Sequence, residues 1–143
     1  MINKKYLKLL RTKDRKYGEN FIYNEISKNI IDSLEILKVP FNNILQFGIN
    51  DSLVINYLKE KYPSCSITSA DIDISLFPKK TDQKFIEIDL DNLQIGDNKF
   101  DLVYSFGVLH HMPNPQEGAN EISRVMKSGS KFLTLSLIHI WRC

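Results

Sequence analysis

The sequence predicts an α/β fold, an open and mostly parallel sheet with helices on both faces. Three observations predict it: five short apolar runs read as strands, helical or turn segments alternate with them, and the residues just after the runs share a polar theme. At 143 residues the chain is expected to form one domain with a real core, yet it is short for a complete cofactor-dependent enzyme.

The first element is "FIYNEISKNIIDSLEIL", Phe21 to Leu37. Ile22, Ile26, Ile30 or Ile31, Leu34 and Leu37 recur at helical spacing, and Pro40 closes the helix soon afterwards. "NILQF" (Asn43 to Phe47) is a buried-strand candidate, and Asn50, Asp51 and Ser52 are candidate N-caps for a helix that runs to about Lys61 and breaks at Pro63. "CSITSADID" is a second strand ending at Asp71; the Pro-interrupted "SLFPKK" after it has room for no more than a helical turn. "KFIEIDL" is a third strand, followed by the polar loop "DNLQIGDNK". A fourth, "FDLVYSF", leads through "GVLHHMPNP" into a helix from about Pro115 to Met126. "KSGS" then turns into a fifth, "KFLTLSL".

Composition narrows the function classes. The 43% hydrophobic and 25% charged content is ordinary for a globular protein, and no apolar run approaches the roughly 18 residues of a membrane span. Net charge is +2, but residues 1–16 hold seven Lys/Arg against one Asp, so the basic charge is an N-terminal arm. That arm has no signal-peptide core and is too Lys-rich and Ser-poor for a typical transit peptide, which makes cytoplasmic the expected location. Aromatic interleaving is limited to Tyr6 and Tyr17, so there is no strong nucleic-acid signal. Cys65 and Cys143 make neither a disulfide framework nor a metal-ligand spacing.

Ligands of an open parallel sheet sit beyond the carboxyl ends of its strands. Gly48, Asn50 and Asp51 follow the first strand, Asp71 and Asp73 end the second, Asp89 ends the third, and Ser105, Phe106 and Gly107 end the fourth. An ionised carboxylate is acceptor-only with two oxygens, so Asp71 suits a ribose diol, and Asp89 could accept from an adenine amino group. The bland alternatives stand beside these: Asp71 as a cap of the following turn, and Asp89 as one of several acids in an acidic loop. Asp101 reads as structural, bonding backbone. His110 and His111, as neighbours, point in different directions and make a poor metal pair, and His139 offers no sensible third ligand spacing. No metal site is expected.

Residues 97–136, "DNKFDLVYSFGVLHHMPNPQEGANEISRVMKSGSKFLTLS", resemble the fourth strand, post-strand loop, helix and turn into strand five of class I S-adenosylmethionine-dependent methyltransferases of the type 11 group. "ITSADIDIS" and "IEIDL" are similar to that family's second- and third-strand motifs. The resemblance implies a Rossmann-like fold, S-adenosylmethionine as cofactor, and methyl transfer to a small-molecule or protein acceptor. It implies cofactor contacts at Gln46, Gly48, Asn50, Asp71, Ile72, Asp89, Leu90, Phe106 and Gly107, with His110 as the candidate general base. The chain departs from the pattern in its opening loop. Where the family has an acid and glycines, Gln46, Gly48, Asn50 and Ser52 stand; Asn50 can keep a left-handed turn while narrowing the pocket, and Gln46 removes a negative charge. Ser128 and Ser130 also replace the family's Pro and second Gly.

The N-terminal segment before the first strand is similar, more narrowly, to proteins related to a mitochondrial complex I assembly factor with a methyltransferase-like fold. That branch implies a respiratory complex I subunit as partner and arginine hydroxylation or scaffolding in place of methyl transfer. A catalytically inactive binding module with the same fold is a further reading of the altered loop.

The last nine residues, "LSLIHIWRC", agree with the translation of a transposase-library adapter if TGA is read as Trp. The expected organisation is therefore a basic arm over residues 1–20, a partial methyltransferase domain over 21–134, and a non-native tail over 135–143. The sheet is then expected to be incomplete at the C-terminus, a fragment.

Overall fold

A computed structural model of the chain describes residues 20–38, 40–47, 53–71, 84–88, 93–106 and 114–135. Helix α1 (Asn20–Leu37) buries Ile26, Ile30 and Leu34, the stripe its spacing predicts, and Lys38 at φ 45° turns the chain out of the helix ahead of Pro40. Strand β1 (Asn43–Phe47) follows, then α2 (Leu53–Lys61), β2 (Ser66–Asp71), β3 (Lys84–Glu87), β4 (Phe100–Phe106), α3 (Pro115–Val125) and β5 (Met126–Leu135).

The five strands form one sheet in the order β3-β2-β1-β4-β5, with every pairing parallel. The order reverses direction between β1 and β4, and that switch point is where open α/β sheets bind ligands. Helices cover both faces. Ile44, Ile67, Leu102 and Tyr104 pack against α1 and α2, whereas Leu45, Phe47, Ala70 and Val103 pack against Ile122 and Val125 of α3. Neighbouring residues of each strand thus enter opposite cores, as a period of two requires.

Two local devices hold the frame. Asp101 accepts from the N–H of Asn42 (2.8 Å) and of Asn43 (3.1 Å), tying the amino end of β1 to β4, so its expected structural role is what the geometry shows. Asn114 caps α3 by accepting from the Glu117 N–H at 3.3 Å, with Pro115 in the first turn, where its missing N–H costs nothing.

The expected boundaries shift at two strands. β3 ends at Glu87, earlier than the run "KFIEIDL" predicts, although Ile88 still donates its N–H to the Asp71 carbonyl at 3.0 Å. The predicted "KSGS" turn is absorbed into β5, which starts at Met126 and carries an irregularity between its pairings to Phe100 and Leu102. Gly129 sits there at φ 78°, a conformation open to glycine, so the irregularity is accommodated without ending the strand.

At the C-terminal end of α3, Arg124 pairs with Glu121 and Asp97. The hydrogen bond from Arg124 holds the Glu121 carboxyl below the usual carboxylate range. The folded value lies under the unfolded one, so this stabilisation is present at neutral pH and is lost as pH falls through the depressed folded value. The stability gap between wild type and Glu121→Gln, followed by urea denaturation, is accordingly expected to narrow between about pH 7 and about pH 3. A gap that holds constant over that range contradicts the ion pair.

Candidate functional site

Several buried polar side chains lie toward the carboxyl edge of the sheet. Gln46 is 1% exposed, and its Oε1 accepts from the Ser69 hydroxyl at 2.6 Å. The two residues are register partners across β1 and β2, so the hydrogen bond runs between adjacent strands. Asp71, two residues beyond Ser69, ends β2 and is 4% exposed. Alternation places Gln46, Ser69 and Asp71 on the α1–α2 face with Ile44 and Ile67.

On the opposite face, Ser105 follows Val103 and is the register partner of Phe47. Its side chain is fully buried, and among the described residues its hydroxyl oxygen has no hydrogen-bond partner. Burying such a group unpaired costs about 1–3 kcal/mol, so an orphan hydroxyl at a strand end calls for an explanation, and a ligand supplies one. Ser105 stands at the carboxyl end of the strand beside the β1/β4 switch point.

Of the residues expected to contact a cofactor, the structure places Gln46 and Asp71 together at one edge. Phe106 closes β4, with its side chain outside the described set. Gly48, Asn50, Ile72, Asp89, Leu90, Gly107 and His110 lie outside the described residues, as do Asp51, Asp73, His111 and His139. Ser69 and Ser105 were not singled out for binding from the sequence, although Ser105 stood among the strand-end residues. Counting back from the strand ends aligns Gln46 with Ser69 only once the register is known. Cys65 is half-buried, and burial pushes its thiol up, which leaves it a poor nucleophile near neutral pH. Among the described residues no group of His, Cys, Asp and Glu is arranged to hold a metal ion.

A groove of about 390 Å³ opens elsewhere, between α3 and the start of β5, lined by Asn98, Ile122, Met126, Gly129 and Phe132. Its lining begins at the amino ends of β4 and β5, away from the ligand edge. It carries none of the expected cofactor residues.

Sheet order, parallel pairing and switch point together define an open-sheet α/β protein with buried polar side chains toward the carboxyl ends of β1, β2 and β4. The chain belongs to the methyltransferase domain family, whose pattern matches residues 45–134. It is 31% identical over 129 residues to "Putative methyltransferase 235L" of Invertebrate iridescent virus 6, an alignment covering 85% of this chain and 47% of the viral protein. The plantazolicin methyltransferase BpumL, solved with a desmethylplantazolicin analogue and S-adenosylhomocysteine, superposes with a TM-score of 0.67 at 15% identity, over 87% of this chain and 51% of that one. YcgJ of Bacillus subtilis superposes with a TM-score of 0.63 at 15% identity, over 78% and 50%. The expected Rossmann-like architecture is thus the observed one. The chain spans about half the length of these relatives.

The side chains present fit an adenosine-bearing cofactor. A nearly buried carboxylate ends β2, where a ribose diol needs an acceptor, and the orphan Ser105 hydroxyl lies at the switch point. Among the described residues no helix is long and apolar enough to cross a membrane.

Proposed function

We propose that the chain carries the cofactor half of an S-adenosylmethionine-dependent methyltransferase, acting on a small-molecule or protein acceptor. The observation that carries the reading is Asp71, a nearly buried carboxylate at the end of the second strand of a methyltransferase-family sheet. S-adenosylmethionine supplies an activated sulfonium methyl group, so the protein's share of the work is alignment. Asp71 accepts from the ribose, and Ser105 offers one hydrogen bond at the switch point. Ser69 holds the Gln46 amide by its oxygen near the carboxyl end of β1. Gly48 and Asn50 shape that loop, Asp89 and Leu90 take the adenine side with Ile72, and Phe106 and Gly107 flank the cofactor. His110 is the base where the acceptor needs deprotonation near neutral pH. A cytoplasmic location agrees with this reading.

Calorimetric titration with S-adenosylmethionine tests it. Saturable micromolar binding supports the enzyme reading; no heat at millimolar ligand leaves an inactive binding module. The complex I branch differs in outcome: methyl transfer adds one CH₂ to the acceptor's mass, whereas hydroxylation adds one oxygen atom.

Ser105 gives an independent check. Ser105→Ala removes an unpaired buried hydroxyl, so it is expected to raise stability by about 1 kcal/mol while weakening cofactor binding about tenfold. A variant that is less stable and binds normally shows the hydroxyl to be structural.

A further inference from the structure

We propose that residues 93–98 form a strap that Arg124 and Glu121 latch to the carboxyl end of α3, and that this strap opens as one unit while the sheet stays folded. The segment leads into β4 without a helix or strand of its own, so its backbone groups must find partners elsewhere. Among the described residues they find them on Glu121 and Arg124. Arg124 donates from Nη2 to the Leu93 carbonyl (2.7 Å), and from Nη1 to the Ile95 carbonyl (2.7 Å) and to Asp97 Oδ1 (2.6 Å). The Arg124 carbonyl accepts from the Asn98 N–H at 3.0 Å, and Glu121 Oε2 accepts from the Leu93 N–H at 2.9 Å. Arg124 also donates to both Glu121 oxygens at 3.0 Å, so all five donors of its rigid fork are used. The acceptor at one end of the strap is thus itself held by the residue that holds the rest.

Burial adds little to that latch. Gln94, Gly96, Asp97 and Asn98 are exposed, Ile95 is half-buried, and Leu93 alone of the six is buried, in the α3-side core. Segments with few buried contacts open at a lower free energy than the whole domain, and loss of one guanidinium fork releases Leu93, Ile95 and Asp97 together. The hinge falls where β4 begins: the Lys99 N–H donates to the Val125 carbonyl at 2.8 Å, and Phe100 pairs with Met126. Asn98, at φ 53°, lines the groove between α3 and β5, and Ile122 belongs both to that lining and to the core that takes Leu93. Opening the strap therefore extends the groove toward the seat that Leu93 leaves.

Native-state hydrogen exchange of the full chain tests the strap, with the Leu93 and Asn98 amides read against those of Leu45 and Val103 in the sheet. In wild type the two strap amides are expected to be protected within about threefold of each other and about tenfold or more below the sheet amides. Leu102→Ala weakens the core on the other face of the sheet, whose contacts the open strap keeps. It is expected to lower protection at Leu45 and Val103 about 30-fold or more while leaving Leu93 and Asn98 within about threefold of wild type. Arg124→Lys keeps the charge but loses the fork, and is expected to lower protection at Leu93 and Asn98 together about tenfold or more. Strap amides that match the sheet amides in wild type, or fall in step with them in Leu102→Ala, overturn the proposal, because the segment then opens only by global unfolding. Strap amides with no protection, with unequal protection, or unchanged within about threefold in Arg124→Lys overturn it too. Should a variant not fold, urea below the unfolding midpoint replaces Leu102→Ala and Glu121→Gln replaces Arg124→Lys. Urea is then expected to lower protection in the sheet before the strap, and Glu121→Gln to lower it at Leu93 and Asn98 by about threefold or more; the opposite result in either overturns the proposal.

Discussion

Asp71→Ala is expected to weaken S-adenosylmethionine binding by about 100-fold or more, the largest functional effect expected of any single substitution among the described residues. A carboxylate accepting from both hydroxyls of a ribose makes two charge-assisted hydrogen bonds, each contributing about 1.5–3 kcal/mol, and alanine forfeits both. The position of Asp71 is set by its neighbours in the sheet. β2 is an inner strand, paired to β1 through Gln46 and Ser69 and to β3 through Glu87, so its last residue has little freedom. Its carbonyl is also occupied, accepting from Ile88. Asp71→Asn separates charge from shape, because it keeps the size and one acceptor oxygen but loses the negative charge; an intermediate loss is expected. The measurement is calorimetric titration of each variant with S-adenosylmethionine. Binding within about threefold of wild type for Asp71→Ala would return Asp71 to the plain role of a turn cap.

Leu102→Ala is expected to have the largest effect on stability, about 2–5 kcal/mol. Leu102 is fully buried in β4, in register with Ile44 of β1 on one side and Lys131 of β5 on the other, and it packs in the same core as Ile30, Leu34 and Leu58 from the two helices. The cavity left by alanine lies between a sheet and two helices already held by their own contacts, so little collapse can fill it. Set against a typical domain stability of about 5–15 kcal/mol, that loss brings the chain close to unfolding near body temperature. Urea denaturation measures it, and a loss below about 1 kcal/mol would mean that the centre of the sheet is not where the core stability resides.

How far the sequence alone reaches differs between the elements and the site. The bounds of β1 and α2 follow from local signals: a short apolar run after Pro40, and helical periodicity ended by Pro63. α1 is legible for the same reason, because Ile26, Ile30 and Leu34 share one face whatever lies opposite. The start of β5 was not legible. "KSGS" carries turn chemistry, and only pairing with β4 on either side of it shows Gly129 to lie inside a continuing strand. Asp71 was legible because a strand end is visible in sequence. The Ser69–Gln46 hydrogen bond depends on parallel register, a relation between residues far apart in the chain that no local pattern encodes. Glu121 and Arg124 announce an i, i+3 helix pair, but nothing in their spacing says that the guanidinium also reaches Leu93, Ile95 and Asp97.

The central claim is that the ligand crevice lies at the carboxyl ends of β1, β2 and β4, and amide chemical-shift mapping during titration with S-adenosylhomocysteine tests it most directly. The account predicts saturable shifts at Phe47, Asp71 and Ser105, with Ser128, Gly129 and Phe132 of the α3–β5 groove unmoved. Shifts confined to that groove, or none at millimolar ligand, would contradict it.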